Sequence, residues 1–289
     1  MTIGETLNDG VKYLSSASLS SFIDTPALDA ALILSELLQV RREELYAQTN
    51  ENVDSIISEK YFINLERRRS GECIAYILGR KEFRGLDFFV NHHVLVPRPD
   101  TENLVEAALE YIAAFSNNEQ KEITLLDLCT GSGAVGISIK KECPLISVNA
   151  SDISQDALNI AAKNTTSLLG SSDAIKIIQS DLFKNISSRF NIIVSNPPYI
   201  PTEELSKLTP EVQREPEIAL NGGINGLELI NKIILQAPDC LFPGGRLFLE
   251  ASPKQMDAIS IMLKENNYSD IRICKDLSER ERIISAAYS

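Results

Sequence analysis

The chain of 289 residues has few side chains suited to holding a metal ion and no paired-cysteine motif. His92 and His93 are its two histidines. Because adjacent residues of an extended segment point to opposite faces, we expect surface or packing roles for them rather than a shared metal. The five cysteines are scattered and never spaced as CxxC, which argues against a disulfide framework and a zinc site. We therefore expect reduced thiols at Cys73, Cys129, Cys143, Cys240 and Cys274.

Long apolar runs and an excess of basic residues are also missing. No stretch approaches about 18 uninterrupted apolar residues, and the opening MTIGETLNDG lacks the basic and apolar blocks of a signal peptide. We therefore expect a cytoplasmic protein that does not enter the membrane. Lys and Arg number 28 against 40 Asp and Glu, and the net charge of −12 disfavours strong nucleic-acid binding. The 44% hydrophobic and 24% charged fractions are those of a soluble globular protein.

Hydrophobic periodicity divides the chain into three parts. Apolar positions in PALDAALILSELLQV recur at helical spacing, and residues 1–80 are expected to form a small helical domain. The stretch from Glu82 to Val96 is rich in aromatic and β-branched residues, which predicts a β-hairpin linker over residues 81–100. Residues 101–289 are expected to form one larger domain.

In the larger domain, short β-rich runs alternate with helical patterns. The runs are ITLLDLC, ISVNASD, IKIIQSD, FNIIVSN and RLFLEAS, with helices expected from Ala134 and around Gln155. This alternation predicts an α/β fold with a mostly parallel sheet and helices on both faces, in which ligands bind beyond the carboxyl ends of the strands. The final runs, IRICK and RIISAAY, are close in sequence and predict an antiparallel edge.

A glycine-rich segment, DLCTGSGAVG, follows the first of these strands over Asp127–Gly136. Glycines allow a sharp turn and let a ligand approach where a Cβ would collide. Asp152 ends the second strand, where a carboxylate can accept hydrogen bonds from ribose hydroxyls. Asp181 ends the third strand and is followed by Leu182 and Phe183, which can border an adenine. The pattern predicts a nucleotide site and, taken alone, fits NAD equally well.

The fourth strand ends in Asn196-Pro197-Pro198-Tyr199. Two consecutive prolines cannot continue a central strand, so the chain leaves the sheet here and the carbonyls before the break lack ladder partners. The Asn196 side-chain oxygen, a free carbonyl and an aromatic ring suit a planar NH2 group, because the two acceptors take its protons and the ring covers its plane. A NAD site does not explain this segment.

Taken together, DLCTGSG, Asp152, Asp181 and NPPY resemble the motif set of S-adenosylmethionine-dependent N-methyltransferases with a seven-stranded Rossmann-like sheet. Four further segments are similar to those of the HemK/PrmC release-factor glutamine methyltransferases: GECIAYILGRKEFRGLDFFV (71–90), VPRPDTE (96–102), REPEIAL with NGGINGLELI (214–230), and Glu250 with Gln255. The resemblance covers the chain from about residue 20 to its end.

This resemblance implies methyl transfer from S-adenosyl-L-methionine to the amide N5 of the glutamine in the Gly-Gly-Gln motif of peptide chain release factors 1 and 2. The product of the donor would be S-adenosyl-L-homocysteine. Asn196 Oδ1 and the Pro197 carbonyl would accept the substrate amide protons, and Tyr199 would pack on the amide plane. The implied catalytic residues are Asn196, Pro197, Pro198 and Tyr199. The implied donor site is Asp127, Cys129, Thr130, Gly131, Ser132, Gly133, Asp152, Asp181, Leu182 and Asn196.

Several positions depart from the family pattern. Cys129 stands where many members have Gly, Leu182 where an aromatic residue is frequent, Asn225 where Asp is usual, and Ala251-Ser252 where Ile-Gly is usual. The Cys variant is similar to the methylase of ribosomal protein L3, whereas Pro99–Glu102, PDTE, favours the release-factor enzymes.

Other functions remain open at this point. They are glutamine methylation of ribosomal protein L3, adenine-N6 methylation of nucleic acid, a NAD-dependent oxidoreductase and a catalytically silent binding module. Adenine enzymes share NPPY-type motifs because adenine also presents a planar NH2, but neither part of this chain carries a basic excess. The helical domain is better suited as a platform that recognises a protein substrate, and Arg67–Arg69 is expected to be a solvated helix face.

Overall fold

The computed structural model describes residues 1–16, 23–116, 122–276 and 278–288, without the side chains of residues 115 and 116. The helices in these ranges are α1 Ile3–Ser15, α2 Pro26–Leu38, α3 Arg42–Ala47, α4 Ser55–Arg69, α5 Ile74–Leu78, α6 Glu102–Ser116, α7 Ala134–Glu142, α8 Gln155–Leu169, α9 Pro210–Gln213, α10 Glu228–Cys240 and α11 Met256–Glu265. The strands are β1 Arg80–Phe83, β2 Leu86–Phe89, β3 Thr124–Leu128, β4 Ser147–Asp152, β5 Lys176–Gln179, β6 Phe190–Ser195, β7 Leu241–Glu250, β8 Tyr268–Lys275 and β9 Glu281–Tyr288.

The first of two compact units consists of residues 1–80 and the separate segment 208–214. Its first helix begins at a capping box, in which Glu5 N donates to Thr2 Oγ1 at 3.2 Å and Thr2 N donates to Glu5 Oε2 at 2.9 Å. The apolar faces of its helices meet in one hydrophobic core, because each amphipathic helix must bury its apolar stripe. That core includes Leu14, Ile33, Leu34, Leu45, Tyr61 and Leu65.

Arg68 lies inside this unit. Its side chain is 6% exposed, and its Nε lies 2.6 Å from Asp29 Oδ2 while its Nη2 lies 2.5 Å from Glu211 Oε1. Arg67 pairs with Glu72 at 2.6 Å. The expectation of a solvated basic face is therefore wrong for Arg68, whose buried charge two distant carboxylates neutralise.

The second unit, residues 81–207 and 215–289, includes the hairpin that follows the helices. β1 and β2 form a two-stranded sheet, and the two residues between them, Arg84 and Gly85, have φ of 50° and 71°. Positive φ at both positions is the geometry of the tight turn that joins two hairpin strands. The two strands lie within residues 80–89, and Asn91 then starts a turn in which its Oδ1 accepts from His93 N at 3.0 Å.

The large sheet of this unit has the order β5-β4-β3-β6-β7-β9-β8. The five strands from β5 to β7 pair in parallel, and β9 is antiparallel to both of its neighbours. Helices α6, α7 and α8 pack together, as do α10 and α11. The predicted α/β fold, with a mostly parallel seven-stranded sheet and an antiparallel final pair, is confirmed.

β7 is longer than its sequence indicates. It begins at Leu241 rather than Arg246 and so includes Pro243, Gly244 and Gly245, which weaken a strand. An irregular register accommodates them, because the pairing with β6 shifts within this stretch. The strand then runs regularly to Glu250.

Candidate active site

The carboxyl ends of β3, β4 and β6 lie at the same edge of the sheet, as parallel pairing requires. The loop after β3 is held by Asp127, whose Oδ2 accepts from Thr130 Oγ1 at 2.5 Å and from Gly136 N at 2.9 Å. Burial raises the pKa of Asp127 to about 7, against the lowering effect of these hydrogen bonds. A Cβ on Gly136 would lie 2.9 Å from the Asp127 carboxylate, which accounts for that glycine.

Cys129 begins this loop with a φ of 61°, in the left-handed region that glycine adopts most readily. This backbone conformation gives a physical reason for the frequent Gly that the sequence comparison with the family implied. Burial raises the pKa of the Cys129 thiol well above its ordinary value. The side chain is thus a neutral part of the wall.

Gly131 and Gly133 have φ of 54° and 83°, and Gly133 is the residue that caps the start of α7. A Cβ built on Gly131 would meet nothing within 4 Å, so this glycine faces open space. A Cβ on Gly133 would lie 2.7 Å from Ile137 Cδ1, so its role is close packing inside the unit.

Asp152, at the end of β4, is tied to the glycine loop. Its Oδ2 accepts from Gly131 N at 2.9 Å, and its Oδ1 accepts from Ser154 N at 3.0 Å. Burial raises the pKa of Asp152, and the backbone hydrogen bonds oppose that shift. Each carboxylate oxygen keeps a further lone pair that can accept a hydrogen bond from a ligand.

A cavity of about 530 Å³ lies at this edge, within the range of small-molecule sites. Ten of the residues expected at the site line it: Asp127, Cys129, Thr130, Gly131, Ser132, Asp152, Asp181, Leu182, Asn196 and Pro198. Gly133, Pro197 and Tyr199 are not in its lining, and Phe183 is buried in the hydrophobic core. Residues that sequence reasoning did not place here include His93 and Ile218.

The chain leaves the sheet at Asn196, directly after β6. Its Nδ2 donates to Thr101 Oγ1 at 3.1 Å, which leaves Oδ1 as the free acceptor of that amide. The hydroxyl of Tyr199 lies 3.5 Å from Glu250 Oε1, and burial, the largest cause, raises the pKa of Tyr199 above its ordinary value. The first and last residues of NPPY are therefore each anchored through their side chains.

A second glycine-rich loop holds the backbone after NPPY in place. Gly222 N donates to Ile200 O at 2.9 Å, and Gln255 Nε2 donates to Tyr199 O at 2.9 Å. A Cβ on Gly226 would lie 2.1 Å from Tyr199 O, so only glycine fits there. These contacts give a physical reason for NGGINGLELI and Gln255, which the sequence offered only as parts of a resemblance.

Two buried polar side chains that sequence reasoning missed also shape the site. Glu215, 4% exposed, accepts from Val96 N at 3.0 Å and pairs with Arg98. Asn164, 1% exposed, donates from Nδ2 to Ser132 O at 2.8 Å. Both side chains fix loops around the cavity that are distant from them in sequence. The REPEIAL motif was a sequence signal for Glu215, and Asn164 had none.

Comparison with known proteins identifies the family. The PrmC N-terminal domain model matches residues 5–79 and the Methyltransferase small domain model matches residues 107–214. The release factor glutamine methyltransferase of Leptospira interrogans is 37% identical over 265 residues, 91% of each chain. That of Clostridium acetobutylicum is 38% identical over 262 residues, 89% of this chain and 90% of the relative.

The chain belongs to the release factor glutamine methyltransferase family. The resemblance carried by NPPY and VPRPDTE is thereby confirmed, and with it the methyltransferase class rather than a NAD-dependent oxidoreductase. Members at 31% to 38% identity extend over about nine tenths of this chain, so the family relationship spans both compact units.

Solved structures of lower identity agree with the fold of this family member. The hMettl16 catalytic domain, in complex with MAT2A 3′UTR hairpin 1, matches with a TM-score of 0.56 at 15% identity over 90% of this chain and 91% of that one. The T. Thermophilus 16S rRNA methyltransferase RsmC, in complex with AdoMet and guanosine, matches with a TM-score of 0.51 at 18% identity over 73% of this chain and 50% of that one. Both likenesses show the methyltransferase fold.

Among the described residues, no helix has the length and apolar character that a membrane span needs. No group of three or more His, Cys, Asp or Glu side chains in the same ranges is placed to hold a metal ion.

Proposed function

We propose that this chain transfers a methyl group from S-adenosyl-L-methionine to the amide N5 of the glutamine in the Gly-Gly-Gln motif of peptide chain release factors 1 and 2, in the cytoplasm. The observation that carries this proposal is the Asn196 amide. Because its Nδ2 is engaged with Thr101 at 3.1 Å, its Oδ1 is left to accept from a planar NH2 at the cavity.

The cavity fits the donor. Gly131 leaves room where any other residue would carry a Cβ, and the two oxygens of Asp152 retain lone pairs for the ribose hydroxyls. Asp181 and Leu182 line the part that we assign to adenine. When bound, S-adenosyl-L-methionine supplies an electrophilic methyl group on its sulfonium, and S-adenosyl-L-homocysteine is its product. Asp127, Cys129, Thr130 and Ser132 complete the proposed donor site. Gly133 supports its loop by close packing, and Asn196 borders it with an acceptor that we assign to the substrate.

The residues of NPPY would act on the substrate amide. A glutamine amide nitrogen is a weak nucleophile because its lone pair is delocalised into the carbonyl. Asn196 Oδ1 and the Pro197 carbonyl would accept its two protons, while Pro198 and Tyr199 complete the wall around it. Fixing the NH2 in line with the methyl group supplies orientation, which can contribute several of the roughly 7–11 kcal/mol available from proximity and alignment.

We assign substrate recognition to the helical unit. On α4 the exposed side chains Ile56 and Ile63, 62% and 55% exposed, are seven residues apart and so share one face of the helix. Large exposed apolar side chains grouped on one face are typical of a protein-binding surface. This exposed apolar face supports the assignment of the helical unit as the surface that binds the protein substrate.

The decisive experiment is tritiated methyl transfer to purified unmethylated release factor 1, release factor 2, ribosomal protein L3 and DNA in parallel, with mass spectrometry locating the label. We expect label on the glutamine of the Gly-Gly-Gln loop. Label only on ribosomal protein L3 or on DNA would refute the substrate assignment, and binding of the donor without any transfer would favour the silent module.

The recognition surface has its own test. Ile56→Ser combined with Ile63→Ser should raise KM for the intact release factor and leave methylation of a short Gly-Gly-Gln peptide unchanged. Ile261→Ser, at a side chain 56% exposed in the second unit, is the matched control. Equal KM values for the double variant and the control would reject the assignment of this face.

A further inference from the structure

The side chain of Asn164, on α8, is hydrogen-bonded to two separate parts of the chain. It is 1% exposed. Its Nδ2 donates to Ser132 O at 2.8 Å and to Phe89 O at 3.0 Å, and its Oδ1 accepts from Phe89 N at 2.8 Å. The amide thus pairs with both backbone groups of Phe89, as a neighbouring strand would, and also with the glycine-rich loop through Ser132.

Both partners of Asn164 adjoin the donor cavity. Ser132 is itself part of the lining. Phe89 ends β2, and the wall segment that follows it, residues 90–98, supplies further lining residues, His93 and Arg98 among them. The wall segment is not a strand of the large sheet, so strand pairing does not set its position. Asn164 therefore holds the wall segment and the glycine-rich loop to one point on α8.

The same face of α8 extends from this point to the cavity. Ala157 lines the cavity and lies seven residues before Asn164, a spacing that places both on one face of the helix. Between them, Ala161 Cβ would lie 3.4 Å from a Cβ built on Gly133. Asn164 itself is not among the lining residues that the structure describes. A change at Asn164 therefore reaches a ligand through the loop and the wall segment that it holds.

We propose that Asn164 is a positioning residue of the donor site, which fixes the wall segment relative to the glycine-rich loop before the donor binds. This inference rests on the proposed function, in which the cavity takes S-adenosyl-L-methionine. Phe89 presents a donor and an acceptor, and Ser132 presents a second acceptor. A side-chain amide matches this pattern, whereas a carboxylate or an apolar group does not. Walls that are already in place reduce the conformational entropy lost on binding.

Binding of S-adenosyl-L-homocysteine, measured by isothermal titration calorimetry, tests the proposal without turnover. Asn164→Leu keeps the approximate volume and removes the amide. We expect Kd to rise roughly 10- to 100-fold, as when the binding-competent arrangement falls to about 1–10% of the molecules. Asn164→Ser leaves room for water to bond the freed backbone groups, so it should fold and show a smaller rise. An unchanged Kd in both variants would overturn the proposal.

Thr165→Val separates positioning from a loss of stability. Thr165 is the next residue of α8, is 1% exposed, and donates from its hydroxyl to Ala161 O at 2.8 Å within the helix. We expect this variant to lower Tm and leave Kd unchanged, because the lost bond holds neither the loop nor the wall segment. Equal changes of Kd at equal losses of Tm in Asn164→Leu and Thr165→Val would show that Asn164 contributes stability alone, against the proposal.

Hydrogen exchange gives a second readout, at the amide that Phe89 donates to Asn164. In the free Asn164→Ser protein we expect faster exchange at Phe89 and through residues 90–98 than in the wild type, because the wall segment has lost its anchor. S-adenosyl-L-homocysteine should slow exchange of the same amides in the wild type. Wild-type exchange rates at these positions in Asn164→Ser would contradict the positioning role.

Running the methyl-transfer assay on release factor beside these binding measurements separates the two assignments. If the wild type methylates release factor and Kd is unchanged in both Asn164 variants, the positioning role fails and the proposed function stands. If the wild type methylates no release factor but binding of S-adenosyl-L-homocysteine depends on Asn164, the positioning role stands and the proposed function fails.

Discussion

The carboxylate of Asp152 accepts a hydrogen bond from the backbone of Gly131, with 2.9 Å between Oδ2 and the nitrogen. Asp152, at the end of β4, is thus fixed against the glycine-rich loop that follows the neighbouring strand β3. A ligand that bridges the two strands meets both groups in a preset arrangement, which reduces the ordering that binding must impose.

Asp152→Ala should therefore weaken donor affinity. We expect a loss of about 1–3 kcal/mol in binding of S-adenosyl-L-methionine, the range for hydrogen bonds to a charged group, measured by isothermal titration calorimetry. Asp257→Ala, at an exposed position of α11, serves as the control. An unchanged Kd in Asp152→Ala would contradict the proposed contact between Asp152 and the ribose of the donor.

Asn196→Ala should separate transfer from donor binding. Methyl transfer is expected to fall by about 100-fold or more, because the substrate amide loses its acceptor and its alignment. The Kd for S-adenosyl-L-homocysteine should stay within about twofold, because the Asn196 oxygen is assigned to the substrate amide rather than to the donor. Asn159→Ala, at an exposed asparagine of α8, should retain activity. Substantial turnover in Asn196→Ala would refute the assigned chemistry.

Glu250 also predicts a pH dependence of stability. Its folded-state pKa of about 7 lies above the ordinary 4.5, so protonated Glu250 is favoured by the fold. Its stabilising effect is complete below about pH 4.5 and is lost as pH rises to about 7. Urea unfolding of wild type and Glu250→Gln should therefore diverge over this window, with the wild type losing about 3 kcal/mol relative to the variant. Parallel pH curves would show that Glu250 has an ordinary pKa.

Arg68 predicts a large effect on the helical unit. Arg68→Met leaves Asp29 buried without its partner, and breaking a buried ion pair from one side costs about 3–5 kcal/mol. Arg68→Met with Asp29→Leu should regain much of that stability. Arg41→Met removes an exposed pair and should cost less than about 1 kcal/mol. Thermal unfolding compares the three variants, and a mild effect of Arg68→Met alone would contradict the buried network.

Features set by local sequence were predictable, and features set by distant partners were not. Apolar alternation and the turn chemistry of glycine and proline predicted the strands, the glycine loop and the break at Asn196, since each signal lies within a few residues. Nothing local distinguishes Arg68 from its neighbours, because its partner Asp29 is 39 residues away. Glu215 meets Arg98 across 117 residues. Local sequence does not distinguish such buried charges from solvent-exposed ones, because their partners become neighbours only in the folded structure.

The helical unit includes residues 208–214, which are synthesised well after residues 1–80. About 130 residues separate Arg80 from Arg214, yet both belong to one compact unit. At 5–20 residues per second, roughly 7–29 s of synthesis passes before Glu211 can reach Arg68. During that interval the nascent unit holds an arginine with only part of its counter-charge. Completion of the amino-terminal unit is therefore timed by translation of the central region of the messenger.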